Sequence, residues 1–102
     1  MKYDKLVRDR IPEIIEKKGE IPVTRIASDD EYWQKLKEKL KEEVDEFVES
    51  GKSEEIADIL EVIHAICEFR NVNKEELEVF REKKAEERGK FKKKIILDEV
   101  KK

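Results

Sequence analysis

Four acidic residues in the middle of the chain have a spacing that suits a divalent cation. Glu43 and Glu46 are three residues apart, and so are Glu55 and Asp58. On an α-helix this spacing places both carboxylates of a pair on one face, about one turn apart. Clustered carboxylates repel one another, and one of them takes up a proton unless a cation offsets the charge. Because oxygen ligands suit hard cations, these residues predict a site for Mg²⁺, with Mn²⁺ as the alternative.

Two helices joined by a short linker are expected to carry these pairs. Ser28 and the glutamate three residues on form a capping box for a helix over about 29–50, which Gly51 ends. Ser53 can cap a following helix over about 53–70. Because the linker is so short, we predict an antiparallel hairpin in which the end of the first helix lies beside the start of the second. All four carboxylates should then lie at one level of the hairpin.

The apolar surroundings of two of the carboxylates strengthen this interpretation. On a helical wheel, apolar residues cover more than half of the helix predicted over about 53–70, which is the third helix of the chain. Glu55 and Asp58 project from within that apolar arc. Burying a carboxylate is costly unless a cation or hydrogen bonds compensate it. In the first helix, Glu43 lies at the edge of the apolar stripe with Glu46 beside it, whereas Glu42 is predicted to face water. Solvated salt bridges are the alternative reading of such pairs in a glutamate-rich chain.

Helices are also expected on either side of the hairpin. Pro12 suits the first turn of a short helix that Gly19 ends, and Asn73 begins a fourth helix that runs to about Arg88. We therefore predict an all-α fold of the helical-hairpin or four-helix-bundle type, in a single domain over 1–102. The wide apolar arc of the third helix suggests burial by its own chain and by another subunit, so we expect a homo-oligomer, either a dimer or a tetramer.

Composition argues against several classes of protein. No apolar stretch is long enough to span a bilayer, and no signal-peptide core is visible, so we expect a cytoplasmic protein without a membrane partner. Cys67 is the only cysteine, which suits a buried thiol in a reducing compartment. Charged residues make up 50% of the chain, yet the net charge is only −3. Such interspersed charge, rich in Lys and Glu, is typical of heat-adapted proteins and argues against nucleic-acid binding.

The acidic residues resemble the signature of a known superfamily. Residues 42–46 (EEVDE) followed by 55–58 (EIAD) are similar to the EExxE…ExxD pattern of the MazG-like all-α nucleoside triphosphate pyrophosphohydrolases, which include the phosphoribosyl-ATP pyrophosphohydrolases. The opening segment 5–12 (KLVRDRIP) resembles the start of a compact subfamily, and residues 84–91 resemble a K…RGxF element. The resemblance implies Mg²⁺-dependent hydrolysis between the α and β phosphates, which releases a nucleoside monophosphate and pyrophosphate.

The resemblance also gives roles to individual residues. It implies that the metal ligands are Glu43, Glu46, Glu55 and Asp58. Glu46 is our candidate for the group that orients or deprotonates the attacking water. The candidate cations for the departing pyrophosphate are Lys5, Arg8, Lys84 and Arg88, whose alternative role is in surface salt bridges.

Three other functions stay open at this stage. The first two are a phosphoribosyl-ATP pyrophosphohydrolase and a helical module for oligomerisation or partner binding that has no metal. Glu61 and His64 have the E-x-x-H spacing of di-iron bundles, but His64 is the only histidine in the chain, so a second copy of the motif is missing. The sequence does not distinguish damaged nucleotides from ordinary ones as the substrate, nor one metal ion from several.

Overall fold

The structure, a computed structural model, describes residues 3–102. These residues form four α-helices and no strand, which confirms the predicted all-α class. None of the helices in this range is both long and apolar enough to span a membrane. The helices are α1 (Ile11–Lys17), α2 (Asp29–Ser50), α3 (Ser53–Phe69) and α4 (Lys74–Arg88).

The chain divides into two compact units. The first unit ends at Arg70 and contains α1, α2 and α3. The second unit, Asn71–Lys102, contains α4 and the tail that follows it, and all of its residues except the half-buried Ala85 are exposed. Such a division does not decide between one domain and two, so the single domain over 1–102 stays a prediction.

Packing of α2 against α3 forms the core of the first unit. Only Gly51 and Lys52 separate these helices, which makes them a hairpin. Gly51 has a φ of +67°, in the left-handed region that glycine adopts without strain, and its N–H donates to the Phe47 carbonyl at 2.7 Å. The buried apolar side chains of the described residues are those of Leu36, Val62 and Cys67.

An aromatic cluster closes the hairpin at the end opposite the linker. Trp33 of α2 stacks on Phe69 of α3, with ring centroids 5.9 Å apart, and Tyr32 meets Phe69 edge-on at 5.2 Å. The Lys37 ammonium and the Arg70 guanidinium lie 5.1 and 4.8 Å from the centroid of the Trp33 ring. Trp33 therefore packs within its own chain, in an offset stack with cation–π contacts.

The N-terminal ends of α2 and α3 differ from the predicted capping motifs. Ser28 accepts a hydrogen bond from the Glu31 backbone N–H at 3.3 Å, as predicted, but the Glu31 carboxylate binds the Arg25 guanidinium instead of completing the capping box. The ion pair supplies a charged donor, which is a stronger partner than a backbone amide. The expected cap at Ser53 was wrong, because the two-residue linker makes Lys52 the N-cap and Ser53 the first helical residue.

The apolar face at the linker end of the hairpin is less buried than predicted. Val44 and Val48 belong to the apolar stripe of α2, yet both are exposed. Ile56 and Leu60 of α3 are also about half exposed. Within the first unit, α2 and α3 are the two helices that pack extensively against each other. The faces that they turn away from each other are therefore not covered by a further pair of helices in this unit.

Candidate metal centre

Three carboxylates from facing ends of α2 and α3 converge. Glu43, Glu55 and Asp58 each present an oxygen atom, and these three atoms lie within 4.8 Å of one another. Glu43 belongs to the last two turns of α2, while Glu55 and Asp58 belong to the first two turns of α3. Oxygen ligands lie roughly 2.0–2.6 Å from Mg²⁺ or Ca²⁺, so two ligands of one ion are at most about 4–5 Å apart. The three oxygens therefore have a spacing that a single cation can bridge.

Among the charged residues that the structure describes, Glu43 is the one that is buried, with only 8% of its surface exposed. Its Oε1 atom lies 3.3 Å from the Lys39 ammonium. Its Oε2 atom is buried and has no hydrogen-bond partner among the residues that the structure describes. An unpartnered oxygen of a buried carboxylate costs free energy, and a cation held with Glu55 and Asp58 would remove that cost. The residues present therefore fit a divalent metal ion.

The N-terminal segment brings two of the predicted phosphate-binding cations to this cluster. Arg8 donates from Nη2 to Asp58 Oδ1 at 2.8 Å, and Lys5 donates from Nζ to Glu42 Oε1 at 3.1 Å. The segment thereby contacts a carboxylate of α3 and a carboxylate of α2. Arg8 therefore contacts a member of the cluster, Lys5 contacts the neighbouring Glu42, and the phosphate-binding role of both stays a prediction.

The predicted orientation of Glu42 was wrong. Its side chain is only 31% exposed, and its two oxygens accept hydrogen bonds from Lys5 and Lys39, each at 3.1 Å. A helical wheel places Glu42 opposite the apolar stripe, but the N-terminal segment covers that side of α2. Partial burial raises the pKa of Glu42, but the hydrogen bonds and charges of the two lysines together outweigh burial and hold this pKa below its ordinary value.

Glu46 lies beside the three converging carboxylates and is not one of them. It is exposed, and the negative charge of Glu43 is the main cause that raises its pKa, followed by partial burial. The charges of Glu55 and Glu42 raise it further. Glu46 thus interacts electrostatically with the cluster, while its roles as metal ligand and catalytic base stay predictions.

Lys39 is a residue of this site that the sequence analysis missed. Its ammonium lies between Glu42 Oε2 at 3.1 Å and Glu43 Oε1 at 3.3 Å, and its side chain is only 17% exposed. Burial lowers the pKa of Lys39, but hydrogen bonds and charge attraction from Glu42 and Glu43 outweigh burial and raise it. The sequence did contain a signal for these contacts, because Lys39 precedes Glu42 by three residues and Glu43 by four, and residues at this spacing are neighbours on a helix.

The remaining predicted residues lie elsewhere. Lys84 and Arg88 are exposed in the last two turns of α4, which belongs to the second unit, and their contact with pyrophosphate stays a prediction. Glu61 is exposed and His64 is half-buried. Within residues 3–102, neither belongs to a group of three or more potential metal ligands, so the structure offers no support for a di-iron site.

Comparisons with known proteins leave the family of this chain open. No protein-family model matches the chain, and no solved structure matches it. A protein of Mycolicibacterium smegmatis, described as uncharacterized, is 63% identical to the chain over 41 residues. This match covers 40% of the chain and 42% of the mycobacterial protein, so the chain spans less than half the length of that relative.

Proposed function

We propose that this protein is a Mg²⁺-dependent nucleoside triphosphate pyrophosphohydrolase of the MazG-like type, with Mn²⁺ as an alternative cofactor. The buried carboxylate of Glu43, which converges with Glu55 and Asp58 and has an unpartnered Oε2 atom, is the observation that carries the proposal. A solvated set of salt bridges would leave no such atom, because water or a lysine would satisfy each oxygen. A role in clearing the cytoplasmic nucleotide pool would suit this activity.

In the proposed reaction, water attacks at the linkage between the α and β phosphates and the bridging P–O bond breaks. The products are a nucleoside monophosphate and pyrophosphate. Bound Mg²⁺ would neutralise phosphate charge and lower the pKa of a water molecule. Glu43, Glu55 and Asp58 would hold the ion, and Glu46 would accept the proton of the attacking water. Glu46 suits this role because it lies beside the cluster and interacts electrostatically with Glu43.

Cationic side chains would bind the phosphate chain and the departing pyrophosphate. Arg8 has several N–H donors in a planar fork, so it can bind Asp58 and a phosphate oxygen together. Lys5 would add a positive charge on the α2 side of the cluster. Lys84 and Arg88 are included in the proposal on the resemblance alone.

We further propose that the protein is a homo-oligomer, a dimer or a tetramer. Val44, Val48, Ile56 and Leu60 form an exposed apolar face at the linker end of the hairpin, which we call the outer apolar face. A second hairpin packed on this face would build a four-helix bundle from two copies, as helical bundles bury their apolar faces. The face lies on the same turns of α2 and α3 as the carboxylates, so the bundle would also exclude water near the site.

Pyrophosphate release from a panel of canonical and modified nucleoside triphosphates, with and without Mg²⁺, tests the proposal. We expect Mg²⁺-dependent release that falls at least about 100-fold in Asp58→Ala, since loss of groups that only support a metal site already costs about 10- to 100-fold. Asp45→Ala is the matched control, because Asp45 is exposed, pairs with Lys41 and lies outside the cluster. It should keep the wild-type rate.

Other results would point to the alternatives. Release from phosphoribosyl-ATP, but from no nucleoside triphosphate, would assign the chain to that branch of the superfamily. No release from any substrate, together with no Mg²⁺ binding, would leave a non-enzymatic helical module as the function.

A further inference from the structure

The contacts of Lys39 restrict one particular carboxylate of the cluster. The Lys39 ammonium is anchored on Glu42 Oε2 at 3.1 Å and lies 3.3 Å from Glu43 Oε1. Only 17% of the Lys39 side chain is exposed, so most of it is packed against the protein. Glu43 therefore has one oxygen occupied by a fixed positive charge, and its other oxygen, Oε2, is buried without a partner among the described residues.

This arrangement determines how Glu43 can bind a metal ion. Two-oxygen (bidentate) binding needs both Oε1 and Oε2 to face the ion, which would bring a divalent charge close to the Lys39 ammonium. One-oxygen (monodentate) binding through Oε2 leaves the ion pair with Lys39 intact. Mg²⁺ takes six ligands in a strict octahedron, whereas Ca²⁺ takes six to eight ligands and readily accepts bidentate carboxylates.

We propose that Lys39 is a positioning residue that limits Glu43 to one metal-binding oxygen and thereby selects Mg²⁺ over Ca²⁺. The inference rests on the metal site of the proposed function and adds the cause of its selectivity. Removal of the ammonium frees Oε1, so Glu43 can bind Ca²⁺ through both oxygens. The positive charge of Lys39 also weakens binding of any divalent cation, but this effect is equal for Mg²⁺ and Ca²⁺ and cancels in the ratio of their dissociation constants.

Calorimetric titration of the full chain with MgCl₂ and with CaCl₂ tests this role. We expect Lys39→Met to shift the ratio of the two Kd values toward Ca²⁺ by about tenfold, the lower end of the effect of groups that orient metal ligands. Lys41→Met is the matched control on the same helix, because Lys41 is exposed and pairs with Asp45 at 2.8 Å, away from the cluster. The ratio of the Mg²⁺ and Ca²⁺ dissociation constants of Lys41→Met should equal that of the wild type.

The possible outcomes separate this inference from the proposed function. If the wild type binds neither cation, the metal site itself is wrong. If the wild type binds Mg²⁺ but Lys39→Met changes both affinities equally, Lys39 acts only through its charge and the selectivity role is overturned. Far-UV circular dichroism verifies the helical fold of each variant. If Lys39→Met fails to fold, Lys39→Gln removes the same charge with a polar side chain. The ratio of its two Kd values should show the same shift toward Ca²⁺.

Discussion

At the scale of single residues, Glu43 carries a stability cost that a ligand would remove. A carboxylate oxygen that is buried without a partner loses its hydration and gains nothing in exchange. Lys39 compensates only the other oxygen of the same group. This imbalance is typical of sites where a protein gives up stability for function, and it makes Glu43 the residue most sensitive to a bound cation.

Mg²⁺ should therefore stabilise the protein through Glu43. A ligand at one hundred times its Kd stabilises the folded state by about 2.7 kcal/mol, so we expect a clear rise in the thermal unfolding temperature of the wild type. Glu43→Gln removes the charged ligand and should lose most of that rise. Glu49→Gln, an exposed change on the same helix, is the control and should keep it. An equal Mg²⁺-dependent rise in the Glu43 and Glu49 variants would contradict the assignment of Glu43 as a ligand.

At the scale of helices, the α2–α3 linker sets the geometry of the site. Because only two residues separate the helices, α3 must start beside the end of α2. The four candidate acids lie in the two turns on either side of this linker, which is why three of them meet. A longer linker would let the helices shift along one another and separate the carboxylates.

Gly51 is the position where this linker depends on backbone conformation. Gly51→Ala should destabilise the hairpin by about 1–2 kcal/mol, because an L-residue in the left-handed region is strained. Among the described residues, no atom beyond the adjoining Ser50 and Lys52 lies within 4 Å of the added Cβ, so contact with the rest of the protein adds no further cost. Urea denaturation measures the change. Gly51→Asn should cost less, since asparagine tolerates this conformation better; equal losses for the two variants would show that φ is not the cause.

At the scale of the whole molecule, few apolar side chains are buried. Leu36, Val62 and Cys67 are the buried apolar residues of the described chain, while the outer apolar face stays in solvent. A short chain has a high ratio of surface to volume, so association is a common source of additional burial. The proposed homo-oligomer would provide that burial on the outer apolar face.

Leu60→Glu should therefore weaken the assembly. A charge placed within an apolar contact between subunits must be buried without a partner, which is strongly unfavourable. We expect light scattering coupled to size-exclusion chromatography to show a dimer or tetramer for the wild type and a smaller species for the variant. Ile21→Glu is the control, because Ile21 is 89% exposed in the connection between α1 and α2. A wild-type monomer would contradict the oligomer proposal.

The sequence by itself determined the helices and most of their ends, because these depend on neighbouring residues; the N-cap of α3 is the exception. Periodicity, the glycines at positions 19 and 51, and the caps at Ser28 and Asn73 are local signals, and the structure has helices between them. The proximity of α2 and α3 also followed from the sequence, since a two-residue linker permits little else.

Only the tertiary structure decided how the charged side chains pair. Arg8 meets Asp58 across 50 residues of sequence, and Lys5 meets Glu42 across 37. No local signal encodes these contacts, because they depend on the path of the N-terminal segment over the hairpin. For the same reason a helical wheel placed Glu42 in water. The spacing of Lys39 signalled its ion pairs with Glu42 and Glu43, but not its burial. A wheel shows which face of a helix a residue occupies, whereas burial and ion pairing depend on what covers that face.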